Sequence, residues 1–208
     1  MNLFLIAIIA ANVLYSYKGF NDISFFRKNE FHTGSIRAGE QHRMFTSAFL
    51  HVDYVHLFFN MFTLYMFAPV VIYGLGTFSF VLIYLGSLIS GSLLTMYFHQ
   101  NDFNYRAVGA SGAVVGIIFS SILINDSLLF FGFIPGSIYG VIYLLSSIYG
   151  MKEKNDNIGH TAHFGGAIGG YAITLFKDPS LFVDNTFMVI VLAIPIVFLF
   201  ILEKAGKL

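Results

Sequence analysis

The chain has 208 residues, of which 57% are hydrophobic and 11% are charged, with 11 acidic and 11 basic side chains. Soluble domains carry roughly 25% charged residues, so this composition and a mean hydropathy of +0.76 indicate an integral membrane protein. A net charge of zero gives no electrostatic basis for binding nucleic acid. Because cysteine is absent, disulfides, thiol catalysis and thiolate metal sites are excluded.

Seven apolar segments predict seven transmembrane helices in a single all-α domain over residues 1–208. In chain order they cover residues 1–17, 54–73, 77–98, 111–124, 128–149, 159–176 and 186–202. A helix rises about 1.5 Å per residue, so the longer segments can cross a hydrocarbon core of about 30 Å. The first begins without a basic region, which favours a retained helix over a cleaved signal. The fourth is short, so we expect its start below the membrane surface, surrounded by protein or water.

Two stretches depart from simple apolar helices. Pro135 and Gly136 interrupt the fifth segment, because proline removes a backbone donor and glycine is flexible. Residues 18–53 are polar and mixed, with three glycines as breaks. A connector of this length is expected to have structure of its own, and it is amphipathic enough to lie partly in the membrane interface.

Ser111 is the first candidate functional residue, because it stands where a polar loop becomes an apolar helix. Gly109 and Gly112 lie on either side and leave its hydroxyl uncovered. At a helix start, free backbone N–H groups and the positive end of the helix dipole favour a developing oxyanion. Serine is also a favoured N-cap, so Ser111 alone fits either a helix cap or a nucleophile.

His163 supplies a base for Ser111 if the fourth and sixth helices pack together. Each of these helices carries small residues at four-residue spacing: Gly112, Gly116 and Ser120 on the fourth, and Gly166, Gly170 and Thr174 on the sixth. Such faces let two membrane helices approach closely, which would bring Ser111 and His163 together near one membrane surface as an activated nucleophile. No acidic residue lies within a predicted span, so the sequence predicts a Ser–His dyad rather than a triad.

His56 and Asn60 are four residues apart and therefore share one face of the second helix. Together with the backbone N–H of Ser111, their N–H groups could stabilise a tetrahedral oxyanion. Asparagine in a membrane helix often only bonds a neighbouring helix, so Asn60 also has this structural interpretation. We expect His160 at the rim of the site, and three further histidines at the interface: His32, His51 and His99.

Three short patterns occur in order on the predicted helices: His51-x4-His56-x3-Asn60, Gly109-Ala110-Ser111-Gly112 and Ala162-His163-x2-Gly166-x3-Gly170. Together they resemble the second-helix pattern, the GxSG motif and the sixth-helix AHxxGxxxG motif of rhomboid intramembrane serine proteases. Each motif alone is weak, and their combination on hydrophobic helices is strong. The similarity covers roughly residues 1–176. It implies a polytopic bundle with a rhomboid-like six-helix core, followed by an extra transmembrane helix at about 186–202.

The resemblance implies a role for each candidate residue. Ser111 becomes the nucleophile and His163 the general base, while His56, Asn60 and the backbone N–H of Ser111 form the oxyanion hole. His160 takes a position near the path of substrate access. Family members hydrolyse transmembrane helices of other proteins within the lipid bilayer, so the expected partners are transmembrane protein substrates. No cofactor and no metal are expected.

Two positions depart from the family pattern. Trp-Arg usually precedes the second helix, and this chain has His42-Arg43, which keeps the charge but implies different loop packing. Four residues after the nucleophile, the family often has an aromatic residue that stacks on the catalytic histidine. Here Val115 offers only an apolar wall at the rim of the site. We therefore expect His163 to be less firmly oriented, and the activity to be weaker or differently tuned.

The resemblance and the basic residues disagree about orientation. The resemblance implies a cytoplasmic amino terminus in the cell membrane, with the active site toward the outer face. Ten basic residues are then outside: Lys18, Arg27, Lys28, Arg37, Arg43, Arg106, Lys152, Lys154, Lys204 and Lys207. Lys177 alone is inside, whereas the positive-inside rule favours the reverse arrangement.

Three other functions remain as alternatives. A membrane metalloprotease based on histidines is the first, but this chain has no HExxH motif. The spacing of His51 and His56 also does not place both imidazoles on one helix face. A proteolytically inactive relative that binds membrane proteins is expected to lack the serine or the histidine, and this chain has both. A small transporter is expected to show paired ions or inverted repeats, and the sequence shows neither.

Overall fold

The computed structural model describes residues 2–153 and 159–208. Most of the charged loop predicted at 152–157 lies outside these described residues. The described chain is a helical bundle, as predicted, with two pairs of very short antiparallel strands in its connections.

Among the described residues, seven helices of 14 or more residues correspond to the seven predicted segments, with α8 beginning later than predicted, and shorter helices lie between them. The helices are α1 (Leu3–Asn21), α2 (Ile23–Asn29), α3 (Thr33–Arg37), α4 (Arg43–Thr46), α5 (Tyr54–Leu75), α6 (Thr77–Phe98), α7 (Ser111–Ile124), α8 (Gly136–Glu153), α9 (His160–Lys177), α10 (Leu181–Asp184) and α11 (Thr186–Lys204). The strands are β1 (Phe31–His32), β2 (Arg106–Ala107), β3 (Leu129–Phe130) and β4 (Ile134–Pro135). A turn of 3-10 helix covers Ser47–Phe49.

The chain is a multi-pass membrane protein. Within the described residues, four helices are long and apolar enough to cross a membrane, namely α1, α5, α6 and α11. Helix α7 is apolar but has only 14 residues. Its residues from Gly112 to Leu123 are all buried, so protein surrounds it on every side. A helix in that position does not need the full length of a lipid-exposed span.

Helices α6, α7 and α9 pack so closely that several of their glycines have no room for a Cβ. A Cβ built on Gly166 would overlap the carbonyl oxygen of Gly112, and one on Gly170 would overlap that of Gly116. A Cβ on Gly91 of α6 would lie 2.7 Å from the carbonyl oxygen of Ala162. The predicted contact between the small-residue faces of α7 and α9 is therefore confirmed. At the far end of this contact, the Thr174 hydroxyl donates to Ser120 Oγ at 2.7 Å.

Residues 128–135 were predicted as part of the fifth helix, and that prediction is wrong. Strands β3 and β4 pair there, and α8 begins only at Gly136. At the turn between the strands, Phe131 and Gly132 have φ angles of 54° and 79°, which a right-handed helix cannot contain. Pro135 has no backbone N–H and therefore fits next to a helix start better than inside a helix.

The long connector between α1 and α5 has structure of its own, as predicted. It contains α2, α3, α4 and the strand β1. Strand β1 pairs with β2, with Phe31 opposite Ala107 and His32 opposite Arg106. Because β2 lies just before α7, this pairing connects the first loop to the segment that leads to Ser111.

We predict that Gly166→Ala destabilises the bundle by about 1–3 kcal/mol, because the new methyl group would force α9 away from α7. Thermal unfolding in detergent micelles, followed by circular dichroism, measures the effect. Gly74→Ala is the matched control, since its Cβ would meet only the flexible end of Ile124. Equal unfolding midpoints for the two variants would contradict the close contact of α7 with α9.

Candidate active site

Ser111 and His163 lie within hydrogen-bonding distance. His163 Nε2 is 2.7 Å from Ser111 Oγ. Ser111 is the first residue of α7, and Ala110 occupies the N-cap position, so the serine hydroxyl is not used as a helix cap. His163 belongs to the first turn of α9, whose glycine contact with α7 holds the two helix starts side by side.

The backbone before Ser111 is held in an unusual conformation by the first loop. Gly109 has a φ angle of 131°, which a residue with a side chain rarely adopts. Its N–H donates to the carbonyl oxygen of Ser47 at 3.0 Å. The next N–H, of Ala110, donates to His51 Nε2 at 3.3 Å. These contacts set the direction in which the chain enters α7.

His51 is a structural part of the site that the sequence interpretation missed. It was expected at the interface, but its exposed fraction is 0%. Because Nε2 accepts from Ala110, the proton lies on Nδ1, which donates to Ser16 Oγ at 2.9 Å, and the Ser16 hydroxyl donates to the carbonyl oxygen of Phe49. Burial lowers the pKa of His51 to about 3 and so keeps the ring neutral. Its place in the pattern with His56 was the available signal.

His56 and Asn60 line the same cavity as Ser111. The His56 ring covers Gly109, where a Cβ would be 2.8 Å from His56 Cε1 and 3.7 Å from Ser111 Oγ. The Asn60 side chain donates one N–H to the carbonyl oxygen of His56 at 2.9 Å. Its amide nitrogen has a second N–H, which provides a further donor at this position.

A cavity of about 930 Å³ contains the candidate residues. Ser111, His163, His56 and Asn60 all line it. A smaller cavity of about 40 Å³ lies on the other side of Ser111, between Gly91 of α6, Gly112 of α7 and Ala162 of α9. Ser111 lines both cavities, so a group bound in the large one would meet its hydroxyl.

Arg27 and Glu30 of the first loop and Arg106 of β2 line part of the large cavity. The carboxylate of Glu30 pairs with Arg27 at 3.2 Å and also with Arg106. Arg43 supports the loop from behind, since its guanidinium donates to the carbonyl oxygens of Arg27 and Glu30 and pairs with Glu40. We expected different loop packing at His42-Arg43. In the structure, Arg43 of this pair holds the loop through hydrogen bonds to its backbone.

An aromatic ring does contact His163, although it comes from α8 and not from α7. Val115 is 4% exposed and lies in the core of the bundle rather than at an exposed rim. The ring of Tyr143 lies 6.1 Å from the His163 ring, with a tilt of 33°. Tyr143 is the last member of a series of neighbouring rings: Phe67, Phe130, Tyr139 and Tyr143.

The other predicted histidines lie outside this cavity or at its back. His160 packs against Gly150 of α8, its ring is 6.3 Å from that of His163, and it lines a separate cavity of about 530 Å³. His99 stacks on Tyr105 with ring centroids 3.6 Å apart. His32 Nδ1 lies 2.8 Å from Ser35 Oγ.

Comparison with known proteins identifies one family. The model of the rhomboid domain matches residues 38–179. The putative rhomboid protease YdcA of Bacillus subtilis (strain 168) is 33% identical over 141 residues, which cover 67% of this chain and 68% of that protein. The mitochondrial RHOMBOID-like protein 12 of Arabidopsis thaliana is 26% identical over 181 residues, 78% of this chain and 54% of that protein.

A third relative is the rhomboid protease GluP of Bacillus subtilis (strain 168), which is 32% identical over 138 residues, 65% of this chain and 26% of that protein. The matched region contains the second-helix pattern, the serine motif and the glycine-rich start of α9. This family match covers well over half of the chain. The chain therefore belongs to the rhomboid family.

Proposed function

We propose that this chain is an intramembrane serine endopeptidase that uses Ser111 and His163 as a catalytic dyad. The observation that carries the proposal is the 2.7 Å contact between His163 Nε2 and Ser111 Oγ, within a cavity that can admit a peptide. A serine next to a histidine base is the minimal activated nucleophile. The free backbone N–H groups at the start of α7 add a site for negative charge.

In the first half of the reaction, Ser111 Oγ attacks the carbonyl carbon of the scissile peptide bond, and His163 Nε2 takes the hydroxyl proton. The carbonyl oxygen becomes an oxyanion, stabilised by the backbone N–H of Ser111 with donors from His56 and Asn60. The C–N bond then breaks, and His163 returns its proton to the leaving amine. In the second half, His163 deprotonates a water that hydrolyses the acyl-enzyme.

The proposed substrates are transmembrane segments of other proteins, which would reach the site as extended chain. A peptide bond inside a helix has its carbonyl engaged in a hydrogen bond, so local unwinding must expose it before attack. The 40 Å³ cavity next to Ser111 suits a small side chain near the scissile bond. A cavity of this size can also hold a water molecule.

We expect Ser111→Ala and His163→Ala each to lower cleavage of a model transmembrane substrate by at least about a thousandfold. Asn60→Ala should lower the rate by up to roughly 10²–10³ and leave measurable activity, because other donors remain. Cleavage is measured in reconstituted vesicles, with thermal unfolding as the control for folding. Mass spectrometry after fluorophosphonate treatment should find the label on Ser111.

These measurements also separate the proposal from its alternatives. A folded wild-type protein that neither cleaves substrate nor takes the label at Ser111 would be an inactive binding module. Activity that survives in Ser111→Ala and disappears with a chelator would indicate metalloprotease chemistry. Substantial activity in either dyad variant would refute the dyad.

Tyr143 is proposed as a positioning residue for His163, because its ring centroid lies 6.1 Å from that of the imidazole, with a tilt of 33°. Tyr143→Leu should slow labelling of Ser111 roughly twofold to tenfold, the range expected for one aromatic contact. Tyr143→Phe keeps the ring and should react like wild type. Tyr149→Leu, at an exposed position on the same helix, is the control. Equal rates in the Leu and Phe variants of Tyr143 would contradict this role.

We further propose that the protein lies in the cell membrane with Ser111 toward the outer face, as the family resemblance implies. The distribution of basic residues favours the opposite orientation, so a direct measurement is needed. The chain has no cysteine, so Lys152→Cys and Lys177→Cys each introduce a unique label site at an exposed position. A membrane-impermeant maleimide added to intact cells should label residue 152 and spare residue 177. Labelling of residue 177 and not of residue 152 would show the opposite orientation.

A further inference from the structure

The charged residues that line the large cavity carry a net positive charge. Arg27 and Arg106 share one carboxylate, that of Glu30, so this group of three has a net charge of +1. Among the described residues that line the cavity, Glu30 is the one acidic side chain. The charge of Arg43 is neutralised by Glu40 and not by Glu30, so Arg43 is not counted in this group.

The two kinds of charge are not equally accessible. The Glu30 side chain is 3% exposed, whereas Arg27 and Arg106 are 56% and 42% exposed. A molecule that enters the cavity therefore meets the guanidinium groups and not the carboxylate. Burial is the main cause that lowers the pKa of the neighbouring His32, while the charges of Arg106 and Arg43 lower it further and those of Glu30 and Glu40 raise it.

Arg106 is also close to Ser111 in sequence. It lies in β2, and the segment from β2 leads directly through Gly109 to Ser111. Pairing of β2 with β1 fixes the backbone of Arg106, and Glu30 holds its side chain. A fixed guanidinium binds a carboxylate better than a freely rotating one, since less side-chain freedom is lost on binding.

We propose that Arg27 and Arg106 make this site prefer substrates that carry an acidic side chain in the segment bound within the cavity. The proposal rests on the proposed protease function of the same cavity. Its occupant is a substrate carboxylate rather than an anionic lipid headgroup, because the arginines line the space that also contains Ser111 and His163. An ion pair at partly exposed groups should change kcat/KM by roughly threefold to fivefold.

The test compares model transmembrane substrates that carry Asp, Asn or Lys at one position at a time on either side of the scissile bond. Wild type should cleave the Asp substrate roughly threefold to fivefold faster than the Asn substrate at one or more positions, with Lys slowest. R106Q should bring the Asp-to-Asn ratio close to one, and R27Q should reduce it. R106K keeps the charge and should retain most of the preference.

R37Q is the matched control, because Arg37 lies in the same loop as Arg27, stacks on Phe103 and donates to the carbonyl oxygen of Gln100. A structural role of Arg106 alone would slow all three substrates together and leave the ratio unchanged, which would overturn the inference. Failure to cleave any substrate, with no label on Ser111, would instead overturn the proposed function and this inference with it.

Lipid composition separates the two sources of negative charge. The assays use vesicles of phosphatidylcholine, which have no net charge, so a preference measured there must come from the substrate. Phosphatidylglycerol is then added to a second set. An effect of R106Q that appears only in the second set, with an unchanged Asp-to-Asn ratio, would assign the arginines to lipid headgroups and overturn the inference.

Discussion

The close backbone contact between α7 and α9 is the constraint on which the rest of the structure depends. Glycines 112 and 116 of α7 meet glycines 166 and 170 of α9 at distances that leave no room for a Cβ. His163 stands one turn before Gly166, so the helix separation directly sets its distance from Ser111. A hydrogen bond of 2.7 Å is lost when its partners separate by about 1 Å, so the dyad needs this packing.

Polar contacts complete the site where the helices alone cannot. The turn that leads into α7 contains backbone N–H groups that the bilayer would leave unpaired, and such groups are costly in an apolar environment. Ser47 and His51 accept from Gly109 and Ala110, and β1 pairs with β2. The first loop is thus a structural support for the start of α7, and it also places Arg27 and Glu30 in the lining of the cavity.

Much of the fold and of the candidate site was predictable because it depends on local patterns. Apolar length located the long helices, and four-residue spacing of small residues identified the contact faces of α7 and α9. The same period placed His56 next to Asn60. The prediction failed at residues 128–135, where the apolar composition is equally compatible with strands and with a helix. In the structure, Phe131 and Gly132 have positive φ angles, and the chain forms a hairpin there.

The sequence by itself determined most of the helix positions and the small-residue faces of α7 and α9, because each follows from spacing within one segment. It also named Ser111 and His163 as a candidate pair, from their places at the starts of those two helices. Only the tertiary structure decided that His51 is buried, that the Tyr143 ring lies near His163, and that Arg27, Glu30 and Arg106 share one cavity. These contacts join residues from separate elements. Their geometry depends on how the helices and the first loop pack, which no spacing within a single segment specifies.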